Sequence, residues 1–292
     1  MTQIALEKSF HFEVEEPSDF GKEVALKELR ETPENVLTAL KRLKYLLENE
    51  TTVCLGKDNE KWLMNLLRLC KFYPESAKEK IVLRLELKKK YSNFLNNSQI
   101  TELKNPKNKG MFCVLKQRDH LGRRVVIQRI ENWKPSEVDK YELFRIYDAI
   151  ANTLRLEPDT QINGVIHIMD FKNVNFSQIL QMTPNFVKIL AVYIFEYVPL
   201  RVKAYHIINN PISVKPVIQL GKQLLSAKNR ERILVHGKDM RELHRYISVD
   251  CLPKCYGGLA DDIELDPSEL FDIAKTRETE FNTFQECESI GD

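Results

Sequence analysis

Apolar residues recur at helical spacing through about the first hundred residues of the chain. Thr32 followed by Pro33 is typical of a helix start. Asp58 is a candidate N-cap for a second helix, and Pro74 opens a third. Together these patterns predict a small helical bundle. Its apolar stripes consist of Val36, Leu37, Leu40, Leu43 and Leu47, of Trp62, Leu63, Leu66 and Leu67, and of Ala77, Ile81, Leu85 and Phe94.

A polar segment from Asn96 to Gly110, rich in Asn, Lys and Pro, is predicted to be a linker. The pattern changes after it, because Met111–Leu115 and Val125–Ile130 indicate two strands. The sequence Asp-His-Leu-Gly at 119–122 predicts the turn between them, in which Gly122 supplies a backbone angle that other residues adopt with difficulty.

From Pro135 onward, helical and extended patterns alternate. This alternation predicts an α/β fold with a mostly parallel sheet and crossover helices, preceded by the N-terminal helical bundle. The predicted organisation is a helical region at 1–98, an α/β domain at 99–262 and a C-terminal tail at 263–292. Predicted strands are Gly164–Met169, Val202–Ile208 and Arg232–Val235, and predicted helices lie near Ser136–Leu156, Ser177–Tyr197, Ser213–Leu225 and from Asp239.

The composition agrees with a protein that has a sizeable core. The chain has 292 residues, of which 43% are hydrophobic and 29% charged, enough for one α/β domain with a helical attachment or for two small domains. With 44 Lys and Arg against 42 Asp and Glu, the net charge is only +2. No global field is expected to hold a polyanion such as nucleic acid, so any anion site must be local.

Several features favour a soluble, cytoplasmic protein. The first twenty or so residues are acidic and lack the parts of a secretory signal, and the apolar run Ile189–Phe195 is far shorter than a spanning helix. The six cysteines are dispersed and are expected to be reduced thiols. Four potential ligands, His236, His244, Cys251 and Cys255, fit no common zinc spacing, so no metal site is predicted.

The sequence lacks the common catalytic motifs. It contains neither of the glycine-rich phosphate-binding patterns and no G-x-S-x-G elbow. His167 and Asp170 are the nearest approach to an acid/base pair, but strand alternation puts His167 on the face of Val165 and Met169, and Asp170 on the other. His167 is therefore interpreted as a core or pocket residue, and Asp170 as the cap of the following turn.

Two pairs of basic residues are the clearest candidate for a binding site. Arg201 and Lys203 lie two residues apart at the start of a strand and point the same way. Lys228 and Arg232, four apart, share a side whether the backbone is helical or extended, and Arg230 joins them only if it is extended.

Between the two basic pairs lies an amphipathic stretch, for which Ser213 is a candidate N-cap and Pro216 falls in the first turn. Solvated charges beside an ordinary crossover helix are the alternative interpretation. The apolar positions at helical spacing are Val214, Val217, Ile218, Leu224 and Leu225.

Several short segments, taken in order, resemble the CRAL-TRIO family, in the branch of alpha-tocopherol transfer protein and cellular retinaldehyde-binding protein. The resemblance extends from about Ala25 to Asp262 and also takes in Leu66-Leu67-Arg68, Asp119-x-x-Gly122-Arg123 and Ile168-Met169-Asp170. The segments that carry it are Pro199-Leu200-Arg201-Val202-Lys203, Ile207-Ile208-Asn209-Asn210-Pro211, Glu231-Arg232-Ile233 with His236-Gly237, and Tyr256-Gly257-Gly258.

The resemblance implies a lipid-binding α/β domain in which a mobile amphipathic helix, here Ser213–Leu225, gates a deep apolar cavity. It also implies that phosphoinositide headgroups bind beside the gate, at Arg201, Lys203, Lys228, Arg232 and Arg68. The chain departs from its relatives in two places. Cys70 and Asn65 stand where many relatives have arginine, and Lys215 and Pro216 stand where larger apolar residues are common in the gate.

The resemblance and strand alternation together predict the pocket wall. Polar tips on His167, Tyr147 and Tyr193 are expected to orient a hydroxyl or carbonyl of the ligand. The predicted wall comprises Val165, His167, Met169, Phe176, Leu190, Tyr193, Ile194, Val217 and Tyr147.

The predicted function is that of a non-enzymatic, monomeric intracellular carrier for a small hydrophobic lipid, tocopherol- or retinoid-like, that docks transiently on phosphoinositide-containing membranes. No cofactor is expected besides the lipid. A lipid-sensing regulatory module that acts through a protein partner is the alternative, and a hydrolase or transferase would require an unrecognised catalytic constellation.

Overall fold

The computed structural model of the chain describes residues 12, 16–48, 50, 53, 59–95, 99–261 and 264–287. The candidate N-cap Asp58, the thiol of Cys54 and the first residues of the predicted linker, 96–98, lie outside the described residues. Within the described part of the chain, no helix combines the length and the apolarity needed to cross a membrane.

The N-terminal region is helical, as the apolar stripes predict. The Thr32 hydroxyl accepts a hydrogen bond of 3.2 Å from the Asn35 N–H and so caps the helix that begins at Pro33. Most of the stripe residues meet in a shared core that contains the fully buried Leu43, Trp62 and Leu66. Two were predicted wrongly, because Leu37 faces solvent and Phe94 packs in the cluster beside the sheet. The helices are α1 (Asp19–Leu29), α2 (Pro33–Glu48), α3 (Glu60–Leu69), α4 (Pro74–Lys90) and α5 (Ser92–Leu95).

A six-stranded sheet forms the centre of the molecule, in the order β5-β4-β3-β2-β1-β6. The four strands β2 to β5 are parallel, whereas β1 pairs antiparallel with both β2 and β6. The predicted α/β fold with a mostly parallel sheet is therefore confirmed. The strands are β1 (Phe112–Leu115), β2 (Arg124–Arg129), β3 (Val165–Asp170), β4 (Val202–Ile208), β5 (Ile233–Gly237) and β6 (Glu264–Leu265).

Helices cover both faces of this sheet, because the residues of each buried strand alternate between two separate apolar clusters. Val165, Met169 and Tyr205 belong to the larger cluster, and Ile166 and Ile168 belong to the smaller one on the opposite face. The remaining helices are α6 (Glu142–Leu154), α7 (Pro158–Asn163), α8 (Phe176–Gln181), α9 (Pro184–Val192), α10 (Lys215–Gln223), α11 (Ala227–Glu231), α12 (Met240–His244), α13 (Pro267–Thr276) and α14 (Glu278–Cys287).

Two helix predictions need correction. The helix predicted over Ser177–Tyr197 is interrupted at Met182 and Thr183, because the Thr183 side chain and Pro184 start a new helix, which then ends in a π-helical turn at Tyr193–Tyr197. Ser213 does not cap the gate helix. A 3₁₀ turn at Ile212–Val214 leads directly into α10, which has no side-chain cap at its start.

The last described segment, 264–287, packs against both parts of the molecule. After β6, Leu270 and Phe281 join the large cluster beside the sheet. Phe284 and Cys287 join the core of the N-terminal helices. The C-terminal helices thus connect the two apolar cores.

A buried ion pair fixes the short helix α7 against the start of β2. Arg124 donates to Glu157 through Nε at 2.9 Å, and Arg118 lies 3.1 Å from the same carboxylate. Burial alone would raise the pKa of Glu157, but the two guanidinium groups hold that pKa below its usual range. Helix α7 is therefore a rigid support for the side chains that lie on it.

Candidate functional site

An apolar cavity lies between one face of the sheet and the helices α6, α9 and α10. The enclosed part of the cavity has a volume of about 120 Å³. The empty space is about 1080 Å³ when the open mouth is included. The enclosed volume is close to that of an engineered cavity that binds benzene, about 150 Å³. Because ligand pockets usually enclose at least about 300 Å³, a small lipid would also need the space at the mouth under α10.

The wall of the cavity is almost entirely aliphatic and aromatic, and among the described residues no Lys, Arg, Asp or Glu lines it. The lining residues are Phe112, Gln128, Ile130, Trp133, Leu143, Phe144, Tyr147, His167, Met169, Phe171, Met182, Phe186, Val187, Leu190, Ala191, Tyr193, Ile194, Phe195, Tyr205, Ile207, Val217, Ile218, Gly221, Leu225 and Ile233.

Most of the predicted wall residues lie at this cavity, and two do not. Val165 is on the predicted face of β3 but is fully buried at the strand's amino end, away from the cavity. Phe176 is 73% exposed, because it begins α8 on the face that points away from the core. The predicted residues that line the cavity are His167, Met169, Leu190, Tyr193, Ile194, Val217 and Tyr147.

Helix α10, which lies within the amphipathic segment Ser213–Leu225, covers one side of the cavity. Val217, Ile218 and Leu225 face inward and contribute to the wall. Val214 is buried in the preceding 3₁₀ turn, and Leu224 is 44% exposed on the outer side. No residue of α10 itself is fully buried, so this helix is held by one half-buried face, whereas α9 on the same side of the cavity has four buried residues and is held more firmly.

Arg230 fastens the end of the gate helix. Its guanidinium donates to the carbonyl of Lys222 at 3.1 Å and to that of Leu225 at 3.2 Å. Lys222 lies in the last turn of α10, where backbone acceptors lack helical partners, and Leu225 follows just after the helix ends. The sequence pattern predicted that Arg230 would lie beside Lys228 and Arg232 only if the backbone there were extended. In the structure Arg230 lies on the helix α11, and its guanidinium binds the end of α10 instead.

A cluster of cations lies at the amino ends of β4 and β5. The Glu28 carboxylate of α1 lies 3.4 Å from Arg201 Nη2 and 2.9 Å from Lys203 Nζ. Arg201 also donates to the Ile162 carbonyl of α7. Lys228 is exposed on α11, and Arg232 follows at the end of that helix. We call Arg201, Lys203, Lys228 and Arg232 the basic cluster.

The basic cluster is short of negative charge. Burial lowers the pKa of Arg201, and Arg232 adds a repulsive contribution in the same direction. Burial and the neighbouring Arg201 likewise lower the pKa of Lys203. Glu28 opposes both shifts, but one carboxylate does not balance Arg201, Lys203 and Arg232, so an anion bound beside these three would be attracted by them.

Arg68 is not part of the basic cluster, although its side chain is as buried as that of Arg201. It is 9% exposed and donates to both oxygens of Glu31 at 2.6 to 3.1 Å, with a further bond of 2.8 Å to the Gln161 side chain of α7. Arg68 and Arg201 therefore both contact α7, but Arg68 is already neutralised by a carboxylate. An anion would have to displace Glu31 in order to reach it.

Glu28 and Glu31 are the site residues that the sequence pattern did not identify. Both lie on or just after α1, and their cationic partners follow between 37 and 175 positions later. No local spacing connects residues so far apart. The local sequence Lys27-Glu28-Leu29-Arg30-Glu31 mixes both charges around one leucine, which is typical of a solvated helix face and gives no signal for a distant partner.

The comparisons with known proteins agree with this architecture. The family model described as CRAL/TRIO domain matches residues 108–258. The chain is 28% identical over 240 residues to mouse "Alpha-tocopherol transfer protein-like", covering 82% of this chain and 70% of that protein. The human protein of the same name is 29% identical over 241 residues, with the same coverage.

Two further matches are more distant. "Clavesin-1" of Xenopus laevis is 25% identical over 233 residues, covering 79% of this chain and 70% of that protein. Among solved structures, "Crystal structure of Sfh5" aligns with a TM-score of 0.49 and 15% identity, covering 91% of this chain and 99% of the other.

Proposed function

The chain belongs to the CRAL/TRIO domain family, and we propose that it is a non-enzymatic carrier that holds one small hydrophobic lipid in the cavity beneath α10 and delivers it at membranes. The observation that carries this proposal is the juxtaposition of an apolar cavity, a loosely held helix over it and a basic cluster beside that helix. Relatives named for tocopherol transfer support a cargo of tocopherol-like or retinoid-like size.

Cargo retention follows from the hydrophobic effect. Hiding about 300 Å² of apolar lipid surface at about 25 cal/mol per Å² contributes roughly 7 kcal/mol before ordering costs. The inward faces of Val217, Ile218 and Leu225 complete the wall. With α10 closed, the lipid has little contact with water, so its escape requires the helix to lift.

Membrane docking is proposed to use the basic cluster. Phosphoinositide phosphates would pair with Arg201, Lys203, Lys228 and Arg232 through charge-assisted hydrogen bonds, while the apolar face of α10 moves from the cavity into the bilayer interface. Headgroup binding promotes release only if the open form of the gate binds the headgroup better than the closed form does. Within this proposal, the protein acts in the cytoplasm and meets membranes peripherally and transiently.

The chemistry of the cavity supports a carrier over an enzyme. Among the described residues that line it there is no Ser, Thr, Cys, Lys, Asp or Glu, so a nucleophile paired with a base is missing from the wall. His167 is the one lining residue with an ionisable imidazole, and burial lowers its pKa to about 3. Covalent or general acid/base catalysis on a bound lipid therefore has no support from these side chains.

The test is an inter-vesicle transfer assay with purified protein, preceded by native mass spectrometry and extraction of whatever lipid copurifies. We expect one lipid per chain and faster transfer when the acceptor vesicles contain a phosphoinositide. A protein that holds a lipid but never moves it between vesicles would favour the lipid-sensing regulatory module. A protein that binds no lipid at all would refute the carrier.

A further inference from the structure

One polar atom in the cavity wall has no partner within the protein. His167 lies in the middle of β3, is 2% exposed and lines the cavity. Its Nδ1 atom is buried and makes no hydrogen bond to any described residue. A buried polar atom left unsatisfied costs about 1–3 kcal/mol, so native structures normally supply a partner from the protein, a water or a ligand.

The orientation of the imidazole is fixed by its aromatic neighbours. The ring stacks on Tyr205 at a centroid distance of 4.5 Å and an interplanar angle of 8°, and it meets the Tyr147 ring edge-on at 5.1 Å. Both tyrosines also line the cavity. Because packing holds the ring from two sides, the ring cannot turn freely to seek another partner, and the imidazole is a preformed feature of the wall.

Of the three tyrosine hydroxyls in the cavity wall, the one on Tyr193 is already engaged. Tyr193 donates to the carbonyl of Phe144 at 3.2 Å, so it has less capacity to meet a ligand. The rest of the wall is almost wholly apolar, and no cationic side chain among the described residues lines it. A lipid that enters the cavity therefore finds polar side-chain atoms at His167, at the two tyrosines that pack on its ring, and at the Gln128 amide of the neighbouring strand β2.

We propose that His167 is the polar anchor of the cavity and that it selects lipids with a neutral hydroxyl head over hydrocarbons, fatty acids and phospholipids. The inference rests on the proposed carrier function and adds to it the chemical class of the cargo. A neutral imidazole has one donor and one acceptor nitrogen, and a hydroxyl can satisfy either, whichever tautomer is present. A carbonyl can only accept, so it fits one tautomer alone.

Charged heads are disfavoured for a separate reason. A carboxylate or phosphate in this cavity would lie in an apolar surrounding with no lining cation, and an unpaired buried charge is far more costly than a hydrogen-bonded hydroxyl. Protonation of His167 would supply a counter-ion, but burial opposes it, because the pKa of this imidazole falls to about 3.

The test loads the full chain from mixed vesicles that contain equal amounts of cetyl alcohol, palmitic acid and hexadecane, three probes with the same carbon chain. Native mass spectrometry then reads which probe each protein molecule holds. For the wild type we expect the alcohol to exceed the hydrocarbon and the acid by about tenfold, the size of one satisfied buried hydrogen bond.

Three variants separate anchoring from packing. His167→Leu should reduce the preference for the alcohol to about twofold or less while the hydrocarbon still loads. His167→Asn, which keeps a hydrogen-bonding group near the position of Nδ1, should restore part of it. Met169→Leu alters the same strand and the same wall without changing hydrogen bonding, and it should keep the wild-type preference.

Equal loading of alcohol and hydrocarbon by the wild type would overturn the anchor, since a trapped water alone would then satisfy His167. An unchanged preference in His167→Leu would do the same. If the wild type takes none of the probes but copurifies with a lipid, the head of that lipid decides: a carboxylate or phosphate head refutes the anchor and leaves the carrier standing. If no lipid of any kind is bound, the carrier function itself fails.

Discussion

Replacing Glu28 by glutamine should strengthen binding to phosphoinositide-containing membranes. In the structure the Glu28 carboxylate contacts both Arg201 and Lys203, so it occupies the place that a headgroup phosphate would take. A phosphate must displace this carboxylate, or at least share its partners, before it can bind. Glutamine keeps the size and hydrogen-bonding shape of the side chain but removes the competing charge.

The expected size of the effect follows from the exposure of the contact. The Glu28 side chain is 48% exposed, and its two contacts measure 2.9 and 3.4 Å. Ion pairs with this degree of exposure contribute roughly 0.2–1 kcal/mol each, because water screens them. Two pairs give a total of about 1 kcal/mol, which corresponds to an approximately fivefold lower Kd for the vesicles.

Flotation of the purified protein with phosphatidylcholine vesicles, with and without phosphatidylinositol bisphosphate, measures this change. Glu23→Gln is the matched control, because Glu23 is on the same helix, carries the same charge and pairs only locally with Lys27. Glu28→Gln should bind more tightly than both the control and the wild type, and the advantage should shrink as salt is added. Equal binding by the two variants would show that Glu28 does not compete with the headgroup.

Three other outcomes are expected. Lys228→Ala combined with Arg232→Ala should weaken vesicle binding and slow transfer at unchanged cargo content, and transfer at the wild-type rate would reject the basic cluster as the docking site. Val217→Asp puts a charge on the inner face of α10 and should reduce lipid retention at least tenfold in a dilution assay, whereas Leu224→Asp, on the exposed side, should retain lipid normally. Burial lowers the pKa of His206 to about 3, so below about pH 6.5 the unfolded chain binds a proton that the folded chain does not. This side chain should therefore lower the free energy of unfolding, measured with urea, by about 1.4 kcal/mol between about pH 7.5 and about pH 5.5. The His206→Leu variant should lose correspondingly less stability over the same pH range.

The residues of the sheet were predictable because strand alternation is a local property. His167 and Met169 lie at the cavity, as their period of two indicates, and Asp170 accepts the Lys172 N–H at 2.8 Å in the turn that follows. Phe176 lies outside every predicted strand, so alternation could not place it and its assignment depended on the resemblance. The structure puts it at the exposed start of α8.

Partners that are remote in the sequence could not be predicted in the same way. The basic pairs were visible as spacings of two and four residues, and the structure confirms that Arg201 and Lys203 converge on one carboxylate. That carboxylate is on α1, and nothing in the pattern of either segment indicates the other. Arg68 shows the same limit, since its neutralisation by Glu31 depends on how α3 packs beside α1.

The position of α10 in the chain limits how far the cavity can open. This helix connects β4 to β5, so it is a strap anchored at both ends and cannot swing aside like a free flap. On the β4 side Asn209 is fixed by its bond of 2.8 Å to Asp170, which leaves only the short stretch up to Ile212 as slack. Three extended residues span at most about 10 Å, so Ile212 stays within that distance of Asn209. Outward movement of a helix held in this way opens a slit along its length, through which a slender molecule can pass lengthwise but a broad one cannot.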